Sequence, residues 1–441
     1  MCFVIFMKRL LFTTAIVAVL TSAAFAEEKL KVSVGGSLDA QYGYRNQKGV
    51  FKDQSPGAAQ QGKRLSKGAI VNDTKVDFKV EGKADNGIKY GGFIKIDADT
   101  SDAKEYFGDK PKNTGIAEQT MAFVETEYGR FEVGNYTGAA YAMKVNAANF
   151  ASATGGIDGD SQYWWNRNAY SINGTQRYTR DTFLQTPNLP TNELGLFGIK
   201  AKNAAKVNVY TPEFAGMRFG ISYVPDLDSY GTVNKVGDIL KKSSNAHSYK
   251  NLVEAGLSYA GSFDNVGVKA AVIGQYAKPK STFFTTTVDT ASTYSKQRNL
   301  QAFEAGANLT YSGFKIGGSY GNWGKSNQLK AISLDSTSWT TQKGEDTTYW
   351  TAGLGYVYGP FSASLTYFES KLGQGYAKTE DKIKANKLRN AVLGVDYKMA
   401  PGFLPYAEIS SFKMTDNAKD DGKKVPGNKG TIFLTGVKLN F

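Results

Sequence analysis

The stretch GLSYAGSFDNVGV, residues 256–268, places a tyrosine where one alternating apolar run ends and a phenylalanine where the next begins. The turn between them is predicted at the Gly/Ser pair 261–262. Similar aromatic pairs bracket five other predicted turns: Tyr128 and Phe131, Tyr210 and Phe214, Tyr311 and Phe314, Tyr358 and Phe361, Tyr397 and Phe403. A soluble protein has no need for aromatic side chains at most of its turns, so these turns share an unusual environment.

The segments that flank these turns alternate apolar and polar residues with a period of two, as half-buried strands do. From residue 29 to 45, apolar residues such as Val32 alternate with polar residues such as Ser33. The same alternation recurs in residues 76–81, 88–99, 217–223, 266–276, 303–311, 361–367 and 433–441. It predicts long strands with one apolar face and one polar face.

Long polar loops alternate with the short turns along the chain. They are residues 46–67, 100–116, 137–195, 225–247, 278–297, 324–346, 372–387 and 416–428. If each long loop joins two neighbouring strands, the chain forms about 16 strands, an even number as in single-chain outer-membrane barrels. No sustained helical period of 3.6 residues competes with this interpretation.

A closed barrel in a lipid bilayer explains these features together. The apolar faces point to lipid, Tyr and Phe lie at the membrane–water interface, and closure leaves no unpaired strand edge in the hydrocarbon. The predicted fold class is therefore all-β: a transmembrane antiparallel β-barrel of about 16 strands with a water-filled lumen. The alternative is a soluble β-sandwich, but long strands with such charged inner faces favour a lumen.

The N-terminus has the features of an export signal. A basic region at 8–9 precedes an apolar core at 10–20 and the small-residue cleavage site AFA at 24–26,. Residues 1–26 are therefore predicted to be a cleaved signal peptide, and residues 27–441 to form one barrel domain.

Composition excludes several classes of chemistry from the exported domain. The single cysteine, Cys2, lies in the predicted signal peptide, so no disulfide or thiol catalysis is expected,. The single histidine, His247, precedes Ser248 in a predicted long loop, which leaves a Ser–His hydrolase as an alternative,. The chain is predicted to be no enzyme and to use no cofactor, no metal and no nucleic acid. Its formal charge of +13 falls to +11 when Lys8 and Arg9 are removed.

Four stretches resemble the general porin family of Gram-negative outer membranes, especially its alphaproteobacterial members. They are MAFVETEYGRFEVGNYTG (121–138), KVNVYTPEFAGMRFGISYVPD (206–226), LGVDYKMAPGFLPYAEIS (393–410) and GVKLNF (436–441). The resemblance spans essentially the whole mature chain and implies a barrel that usually forms a homotrimer, with its third loop folded into the lumen. It also implies that Phe441 is the signal to the outer-membrane assembly machinery, although a lipid-facing aromatic fits that position equally.

The predicted loop 137–195 is the longest, and its position matches the constriction loop of the family. A loop of this length inside a compact domain is usually functional. Its candidate pore residues are Asp158, Asp160, Trp164, Trp165, Arg167, Arg177 and Arg180. The resemblance implies that the two aspartates face basic residues across the pore; the alternative is two solvated loop acids. The tryptophan pair forms either an aromatic track for sugars or an anchor to the inner wall, and anchoring is favoured.

Bases on the polar parity of the predicted strands are the candidate pore wall. They are Lys75, Lys79, Lys89, Lys95 and Arg218. Clustered bases in a narrow pore favour anions, which predicts chloride preference. Carboxylates such as Asp73 and Asp97 share the same faces, so a lumen of paired charges with little net field stays open.

The predicted function is passive diffusion of small hydrophilic solutes and ions across the outer membrane. The expected partners are the lipid bilayer, the diffusing solutes, further copies in a homotrimer and the assembly machinery. Two alternatives remain: a substrate-selective channel for sugar or phosphate, whose current the solute would block saturably, and a barrel adhesin.

Overall fold

The computed structural model describes residues 30–48, 66–99, 117–150, 155–165, 170–172, 175–177, 182–191, 203–227, 248–281, 284–288, 291–335, 337–377, 384–417, 419–420, 423–424 and 427–441. The predicted signal peptide, residues 1–26, lies outside this range. No helix among the described residues is long and apolar enough to cross a bilayer.

Sixteen antiparallel strands close into one barrel. In chain order they are β1 (Lys31–Gln47), β2 (Gly68–Lys83), β3 (Lys89–Asp97), β4 (Ala117–Thr126), β5 (Gly129–Asn135), β6 (Ala205–Tyr210), β7 (Met217–Asp226), β8 (Tyr249–Phe263), β9 (Val266–Pro279), β10 (Leu300–Tyr311), β11 (Phe314–Gly324), β12 (Thr347–Tyr358), β13 (Phe361–Leu372), β14 (Asn386–Tyr397), β15 (Phe403–Thr415) and β16 (Lys429–Asn440). The predicted barrel of about 16 strands is confirmed.

The barrel closes between its first and last strands. β1 pairs with β16 over eleven residue pairs, from Ser37 opposite Asn440 to Gln47 opposite Gly430. The backbone of Phe441 extends this ladder, because its N–H and C=O both bond to Gly36 at 3.1 and 2.9 Å. Closure satisfies the backbone of both terminal strands, which a strand in hydrocarbon requires.

Short turns join the strands in pairs at one end of the barrel, the short-turn end, and the long connections lie at the other, the long-loop end. Two of the predicted aromatic brackets are directly opposite pairs: Tyr311 faces Phe314, and Tyr358 faces Phe361. The opening stretch differs from its prediction, because β8 continues to Phe263 and the turn is at residues 264–265. The reason is local: Asp264 adopts a φ of 50°, which Asp tolerates better than most side chains,.

The outward faces of the strands are apolar. Large residues on this outer face expose between 44 and 57% of their area: Leu257, Val272, Leu309, Ile316, Leu354, Leu365 and Leu393. At the short-turn end, aromatic rings from neighbouring hairpins touch, with centroids 4.4 Å apart for Phe314 and Tyr356 and 4.6 Å for Phe361 and Tyr397,. An apolar band edged by an aromatic girdle is the exterior that a bilayer requires.

The connection between β5 and β6, residues 136–204 (the β5–β6 segment), contacts inward-facing residues of the later strands. Its described parts include a helical turn, α1 (Ala139–Ala142), and 3₁₀ turns at Ala147–Phe150, Gly156–Asp158 and Asp160–Trp164. Trp323 on β11 donates its Nε1–H to the carbonyl of Asn188 at 3.0 Å, and the hydroxyl of Ser370 on β13 donates to the carbonyl of Leu184 at 2.6 Å.

Glycines on the inner wall permit this close approach. A Cβ at Gly306 would collide with the carbonyl of Val145, and one at Gly353 would collide with Ala147 and Phe150. The segment therefore lies against the inner faces of β6–β16, whereas the inner faces of β2 and β3 remain only partly covered.

At the long-loop end, strands from three connections form a five-stranded sheet. They are Phe284–Val288, Ala291–Gln297, Leu329–Ser333, Thr340–Gly344 and Gly375–Ala377. Two small hairpins, Tyr170–Ile172 with Thr175–Arg177 and Lys419–Asp420 with Lys423–Lys424, complete the described strands.

Candidate functional site

A cavity of about 940 Å³ lies between the β5–β6 segment and the inner faces of β1–β4. Its charged lining residues are Asp39, Arg45, Asp73, Lys75, Lys95, Asp97, Asp99, Glu118, Asp158 and Asp160. Seven carboxylates therefore face three bases in this part of the lumen. The lining also contains the rings of Tyr141, Tyr163 and Trp164.

The register of β1–β3 explains why the wall residues meet. Asp39 lies opposite Asp73, and Lys75 lies opposite Asp97. Directly opposite residues of antiparallel strands share a face, so the polar parity of each strand forms one continuous charged wall. All of the wall positions in the cavity belong to the halves of β1–β4 nearer the long-loop end.

Carboxylates are concentrated where β2 and β3 meet the long-loop end. One carboxylate oxygen from each of Asp73, Asp97 and Asp99 lies within 4.8 Å of the others. Lys75 binds Asp73 with 2.5 Å between Nζ and Oδ2, and the backbone N–H of Thr74 donates to Asp99 at 2.7 Å. One lysine thus partly offsets a group of mutually repelling acids.

The structure places two of the five predicted wall bases, Lys75 and Lys95, in the cavity. The other three lie nearer the short-turn end, because β2, β3 and β7 carry them within five residues of a short turn. Lys79 pairs with Glu81 at 2.7 Å, Lys89 pairs with Glu125 at 3.1 Å, and the guanidinium of Arg218 lies 4.6 Å from the centre of the Tyr210 ring. Lys206 on β6, a further inward-facing base, is buried and donates to the carbonyls of Tyr136 and Ala204.

The inward-facing charges next to the short turns form a second group. Counted over the four strand residues closest to each short turn and at the start of β1, the bases are Lys31, Lys83, Lys89, Arg130, Arg218, Lys269 and Lys315, and the acids are Glu81, Glu125, Glu132 and Asp396. Lys438 on β16 lies directly opposite Asp39 and therefore at the height of the cavity. Seven bases against four acids make this turn-side ring positive, whereas the cavity is negative.

Asp158 is held by a buried network within the β5–β6 segment. Its Oδ2 accepts from Lys144 Nζ at 2.9 Å, and its Oδ1 accepts from the amide of Asn188 at 2.9 Å. Lys144 also donates to Asn188 Oδ1 at 2.6 Å, and only 8% of its side chain is exposed. Burial opposes the charge on Lys144, but Asp158 and Tyr141 hold the pKa of Lys144 above its usual value,.

Asp160 reaches the barrel wall through Gln41 on β1. Gln41 Nε2 donates to Asp160 Oδ2 at 3.1 Å and to the Tyr406 hydroxyl oxygen at 2.9 Å, and that hydroxyl donates to Asp39 at 2.7 Å. Burial and the neighbouring charge of Asp39 raise the pKa of Asp160 to about 6, although the Gln41 hydrogen bond opposes this shift,. Asp160 thus binds a proton more readily than an exposed aspartate does.

The two tryptophans make different contacts with the barrel. Trp164 donates its Nε1–H to Gln41 Oε1 at 3.0 Å, and its ring lies so close to Gly43 that a Cβ there would overlap it. Trp165 is 2% exposed, with its ring centroid 5.3 Å from that of Phe412 on β15. These contacts favour the anchoring interpretation over an aromatic track.

Three predicted loop bases and the histidine cannot be located as side chains. Arg167, Arg180 and His247 lie outside the described residues. Arg177 lies on the strand Thr175–Arg177, but its side chain is also outside the described part of the chain.

The model of the Gram-negative porin family matches residues 13–417. The chain belongs to the Gram-negative porin family. Uncharacterized proteins of Rickettsia are similar to this porin: that of Rickettsia bellii is 29% identical over 357 residues, covering 72% of this chain and 75% of its own. That of Rickettsia felis is 27% identical over 490 residues, covering 99% and 100%.

Solved structures share the fold of this porin. OmpT, an outer membrane protein of Vibrio cholerae, has a TM-score of 0.53 at 14% identity, covering 95% of this chain and 100% of its own. A porin refined at 1.8 Å resolution has a TM-score of 0.50 at 13% identity, covering 93% and 100%. The family and the barrel together indicate an outer-membrane channel.

Sequence reasoning missed several residues of the porin lumen. Gln41 and Tyr406 have the inward parity of β1 and β15, which marks them as lumen-facing but not as loop contacts. Lys144 and Asn188 lie 44 positions apart in irregular backbone, where no periodicity signals their contact. No local pattern could have paired them.

Proposed function

We propose that this porin is a passive channel for small hydrophilic solutes and ions. The observation that carries the proposal is a barrel with an apolar exterior that encloses a charged cavity of about 940 Å³. A polar interior excludes a packed core in this region and supports a water-filled path. Transport of this kind runs down the solute gradient, so we infer that it needs no catalysis and no cofactor.

The proposed constriction is the β5–β6 segment, which contains the loop 137–195 expected from the sequence. Support comes from its contacts with inward-facing residues of β11 and β13 on one side and with Gln41 of β1 on the other. A segment held at both sides of the lumen reduces the open cross-section, which leaves the path beside β1–β4.

The proposed charge preference is weakly cationic, opposite to the chloride preference expected from the wall lysines. Seven carboxylates and three bases line the described cavity, and Lys75 is bound to Asp73. Acidic rings at a constriction favour cations. The turn-side ring is positive, which keeps the proposed preference small.

The proposal also covers how the porin is exported, how it is assembled in the outer membrane and how many copies associate. We infer cleavage of residues 1–26, recognition of Phe441 by the outer-membrane assembly machinery, and a homotrimer in the bilayer. The family supports all three, and OmpT of Vibrio cholerae, which shares the fold, has a trimer form.

The test is single-channel current from the purified mature porin in a planar bilayer, with the reversal potential measured under a KCl gradient. Stepwise openings with a potential that slightly favours potassium are expected. Openings that favour chloride would keep the channel and overturn the cation preference. Saturable block by a sugar or by phosphate would instead favour the substrate-selective alternative, and folded porin that conducts nothing would refute the channel.

A further inference from the structure

We infer that the lumen of this porin carries an electric field along the barrel axis, and that this field makes the channel rectify ion flow. The inference rests on the proposed channel function. Its basis is the separation of two oppositely charged groups of inward-facing residues. The acidic cavity lies in the long-loop half of β1–β4, and the basic turn-side ring lies at the opposite end.

The two groups are similar in size and opposite in sign. The cavity has seven carboxylates and three bases, an excess of four negative charges. The turn-side ring has seven bases and four acids, an excess of three positive charges. Lys144 is bound to Asp158 behind the cavity wall, and Lys438 lies opposite Asp39; including both bases still leaves the cavity acidic.

Pairing within the ring leaves part of its positive charge uncompensated. Glu125 binds both Lys89 and Arg130, each at 3.1 Å, and Glu132 binds Arg130 at 2.7 Å. Two acids therefore share two bases. Lys83 and Lys269 are exposed to the lumen without a carboxylate within 4 Å among the described residues.

The turns themselves carry acids that oppose this field. Asp85, Glu127, Glu213 and Asp264 lie in the short turns, outside the ladder of inward-facing residues. They stand at the rim in open water, where salt screens them more strongly than it screens charges between low-dielectric walls. The lumen charges therefore dominate the field that an ion crosses.

The direction of rectification follows from the order of the two groups. When the long-loop side is positive, cations enter through the acidic cavity and anions enter through the basic ring, so both accumulate between the groups. The opposite polarity withdraws both ions and depletes this zone. Current is therefore larger when the long-loop side is positive.

Salt concentration sets the size of the effect. The screening length is about 10 Å at 0.1 M and about 3 Å at 1 M. Local potentials of several kT change ion concentrations severalfold, so we expect a current ratio of roughly two between opposite voltages at 0.1 M KCl. The ratio should approach one in 1 M KCl.

The experiment uses the full mature porin, added from one side of a planar bilayer. A Ser338→Cys variant provides the single thiol of the mature chain, and labelling by an impermeant maleimide identifies the chamber that the long-loop end faces. The Lys83→Gln/Lys269→Gln variant removes two charges of the ring and should lower the ratio. Lys83→Arg/Lys269→Arg should preserve it, and so should Lys343→Gln, which removes an exposed charge at the long-loop end.

The outcomes separate this inference from the proposed channel. Symmetric current at 0.1 M KCl, or larger current with the long-loop side negative, overturns the axial field while the channel stands. An unchanged ratio in the Lys83→Gln/Lys269→Gln variant overturns the assignment to the turn-side ring. Folded porin without any current removes the channel, and with it the basis of this inference.

Discussion

Replacing Lys144 by methionine should release the β5–β6 segment from the inner barrel wall, against which it is seated in the structure. The lysine ammonium lies 2.9 Å from Asp158 and 2.6 Å from Asn188 Oδ1, and 8% of the lysine and 17% of the aspartate side chain are exposed. Methionine keeps the aliphatic part of the side chain but leaves the Asp158 carboxylate buried, with the Asn188 amide as its one side-chain hydrogen-bond donor among the described residues. The charge then favours a segment that opens to water.

The size of this effect follows from the burial of the pair. Removing one partner of a buried ion pair costs about 3–5 kcal/mol. Because Asp158 keeps one amide hydrogen bond and some solvent contact, the lower limit of about 3 kcal/mol applies. Since each 1.4 kcal/mol is a factor of ten, the equilibrium between seated and released segment shifts roughly a hundredfold.

The assay combines single-channel recording with limited proteolysis of the porin in liposomes. The Lys144→Met variant should show frequent transitions between conductance levels and faster cleavage between residues 136 and 204. The Lys144→Met/Asp158→Asn variant removes both charges and should recover most of the wild-type behaviour. Lys343→Met, an exposed loop lysine, is the matched control.

One result would refute this reasoning. If Lys144→Met conducts as steadily as the Lys343→Met control and resists protease equally, the buried pair does not hold the segment. If Lys144→Met/Asp158→Asn is as unsteady as the single variant, shape rather than the stranded charge is responsible.

Three further predictions concern the same lumen. Because the pKa of Asp160 is raised to about 6, ionisation of Asp160 opposes the packing of the β5–β6 segment against the barrel wall,. As the pH falls from 7.5 to 5, the segment should therefore pack more firmly and the cation preference should weaken. Reversal-potential and current-noise measurements should show this pH dependence in the wild-type porin and not in Asp160→Asn. Gly43→Ala should displace the Trp164 ring and raise current noise, whereas Gly394→Ala, where the Cβ meets only the Ser364 hydroxyl at 3.5 Å, should not. Deletion of Phe441 should lower the amount of heat-resistant porin in outer membranes, and Phe441→Tyr should retain it; equal amounts in all three would contradict the assembly role.

Periodicity determined the barrel because it reports on the environment of every second residue. Val32 and Ser33 alternate toward lipid and lumen, and the aromatic pair Tyr311 and Phe314 marks the rim of one hairpin. These signals are local and repeat along the chain, so they can be recognised in the amino-acid sequence alone. The same alternation predicts Lys75 and Lys95 on the lumen side, where the structure has them.

The distribution of charge along the lumen is decided by the tertiary structure. The sequence shows lysines and aspartates on the same faces, but only the strand register and stagger show that acids gather beside the β5–β6 segment while bases gather near the short turns. The sign of the field at one height depends on residues from many strands, and neither their stagger nor their height is encoded in local alternation.

Contacts of the β5–β6 segment also became visible only in the folded chain. Gln41 and Trp164 are separated by 123 positions, and Gln41 and Tyr406 by 365. The amino-acid sequence by itself determined the barrel, its lipid-facing exterior and its polar lumen, because the bilayer imposes a repeating pattern on every strand. Tertiary structure alone decided which side chains hold the segment and where the charges lie along the pore, because irregular backbone meets the wall through contacts that carry no period.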